Sequence, residues 1–159
     1  MIPVHAFVVH SEVLRMKLSE FKDDGVCWMW KDKVDTSLGQ FEVYMIDYSE
    51  NPRSPKASDL VRAKKLVRGL MDVEDQIRNI VFERYEACRD DDPEWLAENN
   101  VPADVGKAAI HEQLYGLGAY VASDDDSEFE GFLIHPNWDA EHKIDLLLKD
   151  GKVALSDRW

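Results

Sequence analysis

Apolar and polar residues alternate along much of the first third of the chain, which is typical of strands with one buried face. The clearest runs are at 26–30 and 41–46, and a short polar break at 35–39 separates them. Two such runs across a short polar connection predict a β-hairpin. Further apolar runs at 4–9 and 13–18 predict strands, although the second run could also form a helical turn.

The middle of the chain has the 3.6-residue spacing of apolar positions that marks an amphipathic helix. The pattern begins after Ser58, a candidate N-cap, and continues to about Cys88. A helix of that length would extend about 45 Å, so Gly69 is the expected point of a break or of close packing. Asp92-Pro93 then predicts the start of a second helix, with the aspartate as its cap.

The last third of the chain returns to patterns typical of strands. Residues 104–114 form one more predicted helical segment, which Gly116 and Gly118 are expected to end. The strands predicted after it are 119–121, 129–135, 144–148 and 153–155. An Asp-Gly pair at 150–151 predicts a hairpin turn between the last two. We therefore expect a single α+β domain over 1–159, with an antiparallel or mixed sheet from N- and C-terminal strands packed by the central helices.

Composition supports a folded chain without a membrane segment. The chain is 45% hydrophobic and 32% charged, which is the balance of a globular protein. The apolar run at 6–9 is too short for a signal-peptide core, and no apolar stretch approaches the ~20 residues of a membrane span. The two cysteines, Cys27 and Cys88, lack a metal-type spacing and are expected to be reduced thiols. These features predict a cytoplasmic protein that does not contact membranes.

The net charge of −13 is concentrated in two acidic stretches, 83–104 and 124–130. The central carboxylates of these stretches, which we expect to contact a partner, are Asp90, Asp91, Asp92, Asp124, Asp125 and Asp126. Such a charge opposes direct binding to nucleic acid, because phosphates would be repelled. It favours a basic protein as partner, although acids also serve simply to keep a surface soluble. A third hypothesis is an acidic mimic of nucleic acid.

Aromatic residues of the first predicted hairpin are candidates for the centre of such an interface. Trp28 and Trp30 are two residues apart in a predicted strand and therefore share a face, and Tyr44 could lie opposite them on the neighbouring strand. This arrangement is typical of a protein core. A pair of tryptophans would equally suit the desolvated centre of a protein interface, so Trp28 and Trp30 are candidate partner-binding residues.

The sequence NWDAEH at 137–142 combines an aromatic residue, two carboxylates and a histidine. The Asn137 and Asp139 side chains can accept backbone N–H groups in a tight turn, and Trp138 would fold its ring over the sheet. Glu141 or Asp139 could hold His142 in one tautomer by accepting its ring N–H. We therefore interpret this segment first as a structural motif that locks a turn, formed by the side chains of Trp138, Asp139, Glu141 and His142.

Together with the apolar strand and the Gly-Lys-Val hairpin that follow it, this motif resembles a C-terminal W-D-x-E-H-G signature. The signature belongs to a bacterial family of domains of unknown function. The resemblance extends to the order of elements, although Lys143 stands where the family has glycine. Some members of that family lie in immunity-like gene neighbourhoods beside polymorphic toxins. The resemblance thus implies an immunity-type inhibitor of a basic bacterial toxin, and it assigns no catalytic role to any residue.

A metal site is the main chemical alternative at this motif. Its candidate ligands, two imidazoles and two carboxylates that Zn²⁺ or Mn²⁺ would accept, are His135, Asp139, Glu141 and His142. Glu141 and His142 would diverge if both lay on a strand. The sequence contains no nucleophile-elbow, Walker or dinucleotide motif. We therefore favour a non-enzymatic binding protein without a cofactor; the alternative is a small metal-dependent or hydrolytic enzyme centred on His135–His142.

Overall fold

The computed structural model describes residues 15–156 of the chain. The predicted strand at 4–9 lies outside these residues, as does the first part of the run at 13–18. From residue 15 onward, that second run does not form a strand but leads into a 3₁₀ turn at Leu18–Glu20. The Glu20 carboxylate favours the turn, because it accepts the backbone N–H of Lys17 at 2.8 Å.

Within the described residues, seven strands form one sheet in sequence order. They are β1 (Phe21–Asp23), β2 (Trp28–Thr36), β3 (Gly39–Asp47), β4 (Leu114–Ser123), β5 (Glu128–Pro136), β6 (Ile144–Lys149) and β7 (Lys152–Leu155). Neighbouring strands are antiparallel except β3 and β4, which pair in parallel with Glu42 beside Gly118. The predicted hairpin of β2 and β3 is confirmed, as is the α+β class, and the sheet is mixed.

The connection between β3 and β4 contains α1 (Ala57–Asp91), α2 (Pro93–Glu98) and a 3₁₀ helix (Lys107–Gln113). Helix α1 begins earlier than predicted, because Asp59 accepts the backbone N–H of Lys56 at 2.9 Å and so satisfies a donor at the helix start. Lys56 is the N-cap residue, and the predicted cap Ser58 lies in the first turn. The prediction for Gly69 is also wrong: α1 continues through it, and an added Cβ there would meet no atom within 4 Å.

The predicted helical segment at 104–114 is shorter than expected and has 3₁₀ geometry. Gly116 and Gly118 do not end it, because both lie inside β4. A Cβ on Gly118 would be 2.8 Å from Cε2 of Tyr44, and one on Gly116 would be 3.0 Å from Cδ2 of His135. These glycines therefore make room for rings that reach over β4 from the two neighbouring strands.

Two local signals of the sequence are confirmed. The Asp92 carboxylate accepts the backbone N–H of Trp95 at 3.1 Å, and Pro93 is the first residue of α2. Asp150 and Gly151 have φ values of 52° and 74°, as a tight turn between β6 and β7 requires. The start of α2 and the turn between β6 and β7 were therefore predicted correctly. The first depends on a local hydrogen bond, and the second on residues that tolerate positive φ.

The apolar stripe of α1 packs on one face of the sheet. Leu70 and Ile77 of α1 join a buried core with Phe41 of β3 and Phe132 of β5, whose rings meet edge to face at 6.2 Å. The strand residues that alternate with these point to the opposite face, which no helix within 15–156 covers; we call it the helix-free face. None of the helices in this part of the chain is both long and apolar enough to cross a membrane.

Candidate functional site

The connection between β5 and β6 contains the NWDAEH segment, and one carboxylate organises it. Asp139 Oδ1 accepts the backbone N–H groups of Glu141 at 3.2 Å and of His142 at 3.0 Å. Both carboxylate oxygens of Asp139 also lie 3.1 Å from Nδ1 of His142. The predicted turn-locking contacts of Asp139 are confirmed, whereas Glu141 contributes its backbone and exposes its side chain.

Trp138 attaches this connection to the end of α1. Its ring is 4% exposed and meets the ring of Tyr85 at 5.6 Å, so it packs against the helix. Its carbonyl oxygen accepts the indole N–H of Trp95 at 2.5 Å. Tyr85 is itself held by its hydroxyl, which donates to the carbonyl of Pro102 at 2.5 Å. We call Tyr85, Trp95 and Trp138 the aromatic anchor, because the Tyr85–Trp138 ring contact and the hydrogen bond from Trp95 join α1, α2 and the sheet here.

The predicted metal ligands are arranged differently from the expectation. Glu141 and His142 lie in a turn, so the argument that strand residues diverge does not apply to them. His135 lies on β5 with its ring over β4. Between residues 15 and 156, no group of three or more histidine, cysteine, aspartate or glutamate side chains has the geometry of a metal site.

The two acidic stretches lie at opposite ends of α1. Asp90 and Asp91 are in its last turn, whereas the loop at 124–127 follows β4, whose end is bound by Arg62 near the start of α1. At 1.5 Å per residue, about 40 Å of helix separates Arg62 from Asp90. A standard interface covers ~800 Å² on each partner, a patch roughly 30 Å across. One interface of that size does not reach both stretches.

Several carboxylates of the second stretch have partners inside the molecule. Asp124 Oδ1 accepts the backbone N–H groups of Asp126 at 2.9 Å and Ser127 at 2.7 Å. Asp125 accepts the backbone N–H of Glu50 at 3.3 Å. These bonds fix the loop against itself and against the segment that precedes α1, so part of its charge has a structural role.

A network of ion pairs explains more of this charge. Arg62 Nε lies 2.8 Å from Glu130 and 3.4 Å from Glu128, and Arg62 also lies 3.5 Å from Asp59. Its guanidinium donates to the carbonyl oxygens of Ala122 at 2.8 Å and Phe129 at 3.2 Å. We call Arg62, Asp59 and Glu130 the ionic anchor, since they join α1 to β4 and β5. The sequence pattern around Arg62 did not indicate this role.

The tryptophans predicted to bind a partner both face α1. Trp30 is 3% exposed and pairs with Phe21 in the core, so its ring is not available to a partner in this conformation. Trp28 is half-buried and packs on the core beside its strand neighbour Met45. Tyr44 does not complete this pair, because it aligns with Met29 and points to the helix-free face. The bulge after Met29 does not turn the tryptophans outward.

Trp95 is an exposed tryptophan that the sequence did not single out. Its side chain is 41% exposed, and the hydrogen bond to Trp138 fixes its ring. Asp91 and Glu94, which precede it along the chain, are exposed as well. The acidic stretch around α2 and the proline that begins this short helix were visible in the sequence. The long-range contact that holds the ring in place was not.

An open pocket of about 310 Å³ lies on the helix-free face. The polar side chains that line it are Asp24, Cys27, Glu42, Tyr44, Tyr48, His135 and Lys143. The hydroxyl of Tyr44 donates to the carboxylate of Glu42, and the thiol of Cys27 donates to Asp24 at 3.4 Å. The pocket extends from the β1–β2 connection across β3 and β4 to β5, so residues far apart in sequence meet in it.

The protonation states in this pocket follow from burial and from neighbouring charges. Burial raises the pKa of the Cys27 thiol to about 12, with a further contribution from its hydrogen bond to Asp24. Burial lowers the pKa of His135, and the Lys143 ammonium lowers it further. At neutral pH the imidazole and the thiol are therefore uncharged. Backbone N–H groups, first that of Cys27, lower the pKa of Asp24, which stays ionised.

No protein-family model, curated protein or solved structure matches this chain. The similarity of the NWDAEH segment to the W-D-x-E-H-G signature therefore stays a prediction.

Proposed function

We propose that the protein is a non-enzymatic binding protein of the immunity type, which covers a basic toxin domain with the surface around α2. The observation that supports the proposal is the exposed ring of Trp95 within an acidic stretch. We call Asp91, Glu94 and Trp95 the acidic Trp95 surface. A cytoplasmic location, where such an inhibitor would meet its toxin, is part of the same proposal.

The acidic Trp95 surface combines two features that protein interfaces use separately. Carboxylates attract a basic partner and raise the association rate, although they add less to affinity. Tryptophan is enriched among residues whose loss weakens binding most, because its large ring is desolvated in the complex. The hydrogen bond from Trp95 to the Trp138 carbonyl fixes the ring before binding, so less side-chain entropy is lost on association.

The opposite acidic stretch supports the proposal less well. Arg62 forms ion pairs with Glu128 and Glu130, which offsets part of the negative charge near 124–127. Asp124 and Asp125 also have hydrogen bonds to backbone groups. We therefore place the partner at the α2 end and expect the 124–127 loop to contribute a general field rather than contacts.

The test is a stopped-flow binding experiment with the product of the adjacent gene as the probe, where that gene encodes a basic toxin domain. Replacing Asp91 and Glu94 with lysine should slow association at least tenfold and weaken its dependence on salt. Trp95→Ala should instead raise the dissociation rate, by about a hundredfold if this ring is a main anchor. Each variant must have a melting temperature close to that of the parent, so that a change in rate reports on binding rather than on unfolding.

The matched control reverses two charges at the other end of α1. Asp125→Lys with Asp126→Lys changes the net charge by the same amount but lies about 40 Å of helix away. This control should alter association less than the Asp91/Glu94 variant and should leave dissociation unchanged. Equal effects of the two charge reversals, together with an unaltered dissociation rate in Trp95→Ala, would refute the proposal.

A further inference from the structure

The pocket on the helix-free face has an aromatic and polar lining that the proposed function does not use. Its floor is β4, where Gly116 and Gly118 carry no side chain into the pocket. The rings of His135 and Tyr44 contact these glycines from β5 and β3. Same-face positions on a strand are about 7 Å apart, so the two rings lie side by side over β4 and border the pocket.

The charges of the pocket are separated across the sheet. Asp24 lies on the connection between β1 and β2, and Glu42 lies on β3. Lys143 immediately precedes β6, on the far side of β5. Besides burial, the charges of Asp24 and Glu42 raise the pKa of Cys27, and at His135 the charge of Lys143 lowers the pKa while that of Glu42 raises it. The pocket thus has its carboxylates at the β1–β2 connection and on β3, and its ammonium group at the start of β6.

We infer that this pocket binds a small zwitterion of the basic amino-acid class, with its cationic end at Glu42 and its carboxylate at Lys143. The volume of about 310 Å³ lies at the lower end of the range for small-molecule sites. Lys143 immediately precedes β6, three strand spacings of about 4.8 Å from the β3 strand of Glu42, so a ligand that joins the two side chains needs opposite charges several bonds apart. The inference goes beyond the proposed function, because it concerns the opposite side of the sheet from the core packed by α1.

The cationic end has two kinds of partner in the pocket. Glu42 is held by the Tyr44 hydroxyl, so its carboxylate has a defined position beside the Tyr44 ring. A guanidinium can bond a carboxylate through two N–H groups and also stack on an aromatic ring. Lys33 lies 3.7 Å from Glu42, but both side chains are partly exposed, and such surface pairs contribute little.

The anionic end has one charged partner and one neutral neighbour. The Lys143 ammonium can bind a carboxylate, and it is exposed at the rim of the pocket. The neutral His135 ring fills the space over Gly116 without adding a second positive charge. This arrangement favours one carboxylate rather than a phosphate, which usually has several donors.

The experiment uses three probes that differ in a single group. L-arginine carries both the guanidinium and the carboxylate. Agmatine lacks the carboxylate, and L-citrulline lacks the guanidinium charge. Two-dimensional NMR of the full chain should show saturable shifts of Gly116 and Gly118 with L-arginine. Because a hydrogen bond to a charged group is involved at each end, we expect agmatine and L-citrulline each to bind about tenfold more weakly.

Variants assign the two ends of the ligand. Glu42→Gln should weaken L-arginine about tenfold and leave L-citrulline unchanged, whereas Lys143→Gln should reduce L-arginine to the affinity of agmatine. Glu83→Gln, an exposed carboxylate on α1, is the matched control and should change nothing. Equal binding of the three probes, the same loss in the Glu83 control, or no saturable shift at ~10 mM would overturn the inference. None of these outcomes bears on the acidic Trp95 surface.

Discussion

At its N-terminal end α1 is attached to the sheet by the ionic anchor, whereas at its C-terminal end it is attached by the aromatic anchor. In the first, the Arg62 side chain is 14% exposed and that of Glu130 is 31% exposed, so water reaches part of the network. In the second, Tyr85 is fully buried and Trp138 is 4% exposed, and only Trp95, at 41%, is open to water. The ionic anchor therefore depends on paired charges and the aromatic anchor on area removed from water.

The difference shows why acidic residues near the two ends of α1 have different roles. Near the ionic anchor, carboxylates are partners of Arg62 and of backbone donors, so they hold the structure together. Near the aromatic anchor, rings supply the attachment, and the carboxylates of Asp91 and Glu94 stay exposed. Where buried rings stabilise the structure beneath a surface, the carboxylates on that surface need no internal partner and stay accessible to another protein.

The largest expected effect is the loss of the aromatic anchor. Trp138→Ala should lower the free energy of unfolding by about 3–5 kcal/mol, because it removes a buried ring and leaves a cavity beside Tyr85. Trp138→Phe is the control and should retain most of the stability. Urea denaturation measures both values. A loss of less than about 1 kcal/mol in Trp138→Ala would show that this end is not held by ring burial.

Breaking the ionic anchor should cost less. Arg62→Met should lower the free energy of unfolding by about 2–3 kcal/mol, since it leaves Asp59 with Arg53 as its ion-pair partner and removes a donor to two carbonyls. Arg62→Lys keeps the charge but not the forked geometry, and it should give an intermediate loss. The same urea titration applies. A loss larger than that of Trp138→Ala would reverse the comparison of the two ends.

Asp139 tests how much polar contacts add to the aromatic anchor. Asp139→Ala should lower the free energy of unfolding by about 1 kcal/mol, because two backbone N–H groups of the turn lose their acceptor. Glu141→Ala is the control and should change it by less than about 0.5 kcal/mol, since the Glu141 side chain is exposed. Indistinguishable melting curves for the two variants would contradict a turn-locking role for Asp139.

The smallest effect is a dependence on pH at the N-terminal end of α1. Burial raises the pKa of Asp47, but hydrogen bonds from Ser49 and from the backbone of Arg53 outweigh it, so the net pKa is lowered. The resulting stability is present above the ordinary aspartate pKa and is lost as pH falls through the folded-state value. Hydrogen exchange in acid should therefore increase first in the connection before α1. Asp47→Asn should abolish the pH dependence of this increase; equal acid sensitivity at Trp138 would contradict it.

The sequence predicted those features that depend on neighbouring residues. The hairpin of β2 and β3, the cap at Asp92 and the turn at 150–151 follow from alternation and local hydrogen bonding, and all are confirmed. Helix α1 starts earlier than predicted, because the Asp59 carboxylate accepts the backbone N–H of Lys56 and no cap from Ser58 is needed.

Long-range contacts explain the features that could not be predicted. Nothing near Arg62 in the chain indicates that it meets Glu130, and nothing near Trp95 indicates its bond to Trp138. Trp30 was ambiguous because alternation places side chains on one face of a strand but does not say which face α1 will cover. Gly118 was wrongly interpreted as a helix end. The reason for a glycine there is the ring of Tyr44 above it, and Tyr44 lies on a strand more than seventy positions earlier, so the local sequence does not show the contact.

The parallel pairing of β3 with β4 has a consequence for how the chain folds. Other neighbouring strands within 15–156 are joined by short connections, so β1–β3 and β4–β7 can each form through local contacts. Pairing of β3 with β4 instead closes a loop that contains α1, and the entropy cost of closure grows with loop length. Formation of α1 before closure shortens the disordered part of that loop. Stabilising this helix should therefore accelerate folding more than stabilising any one of the turns between antiparallel strands.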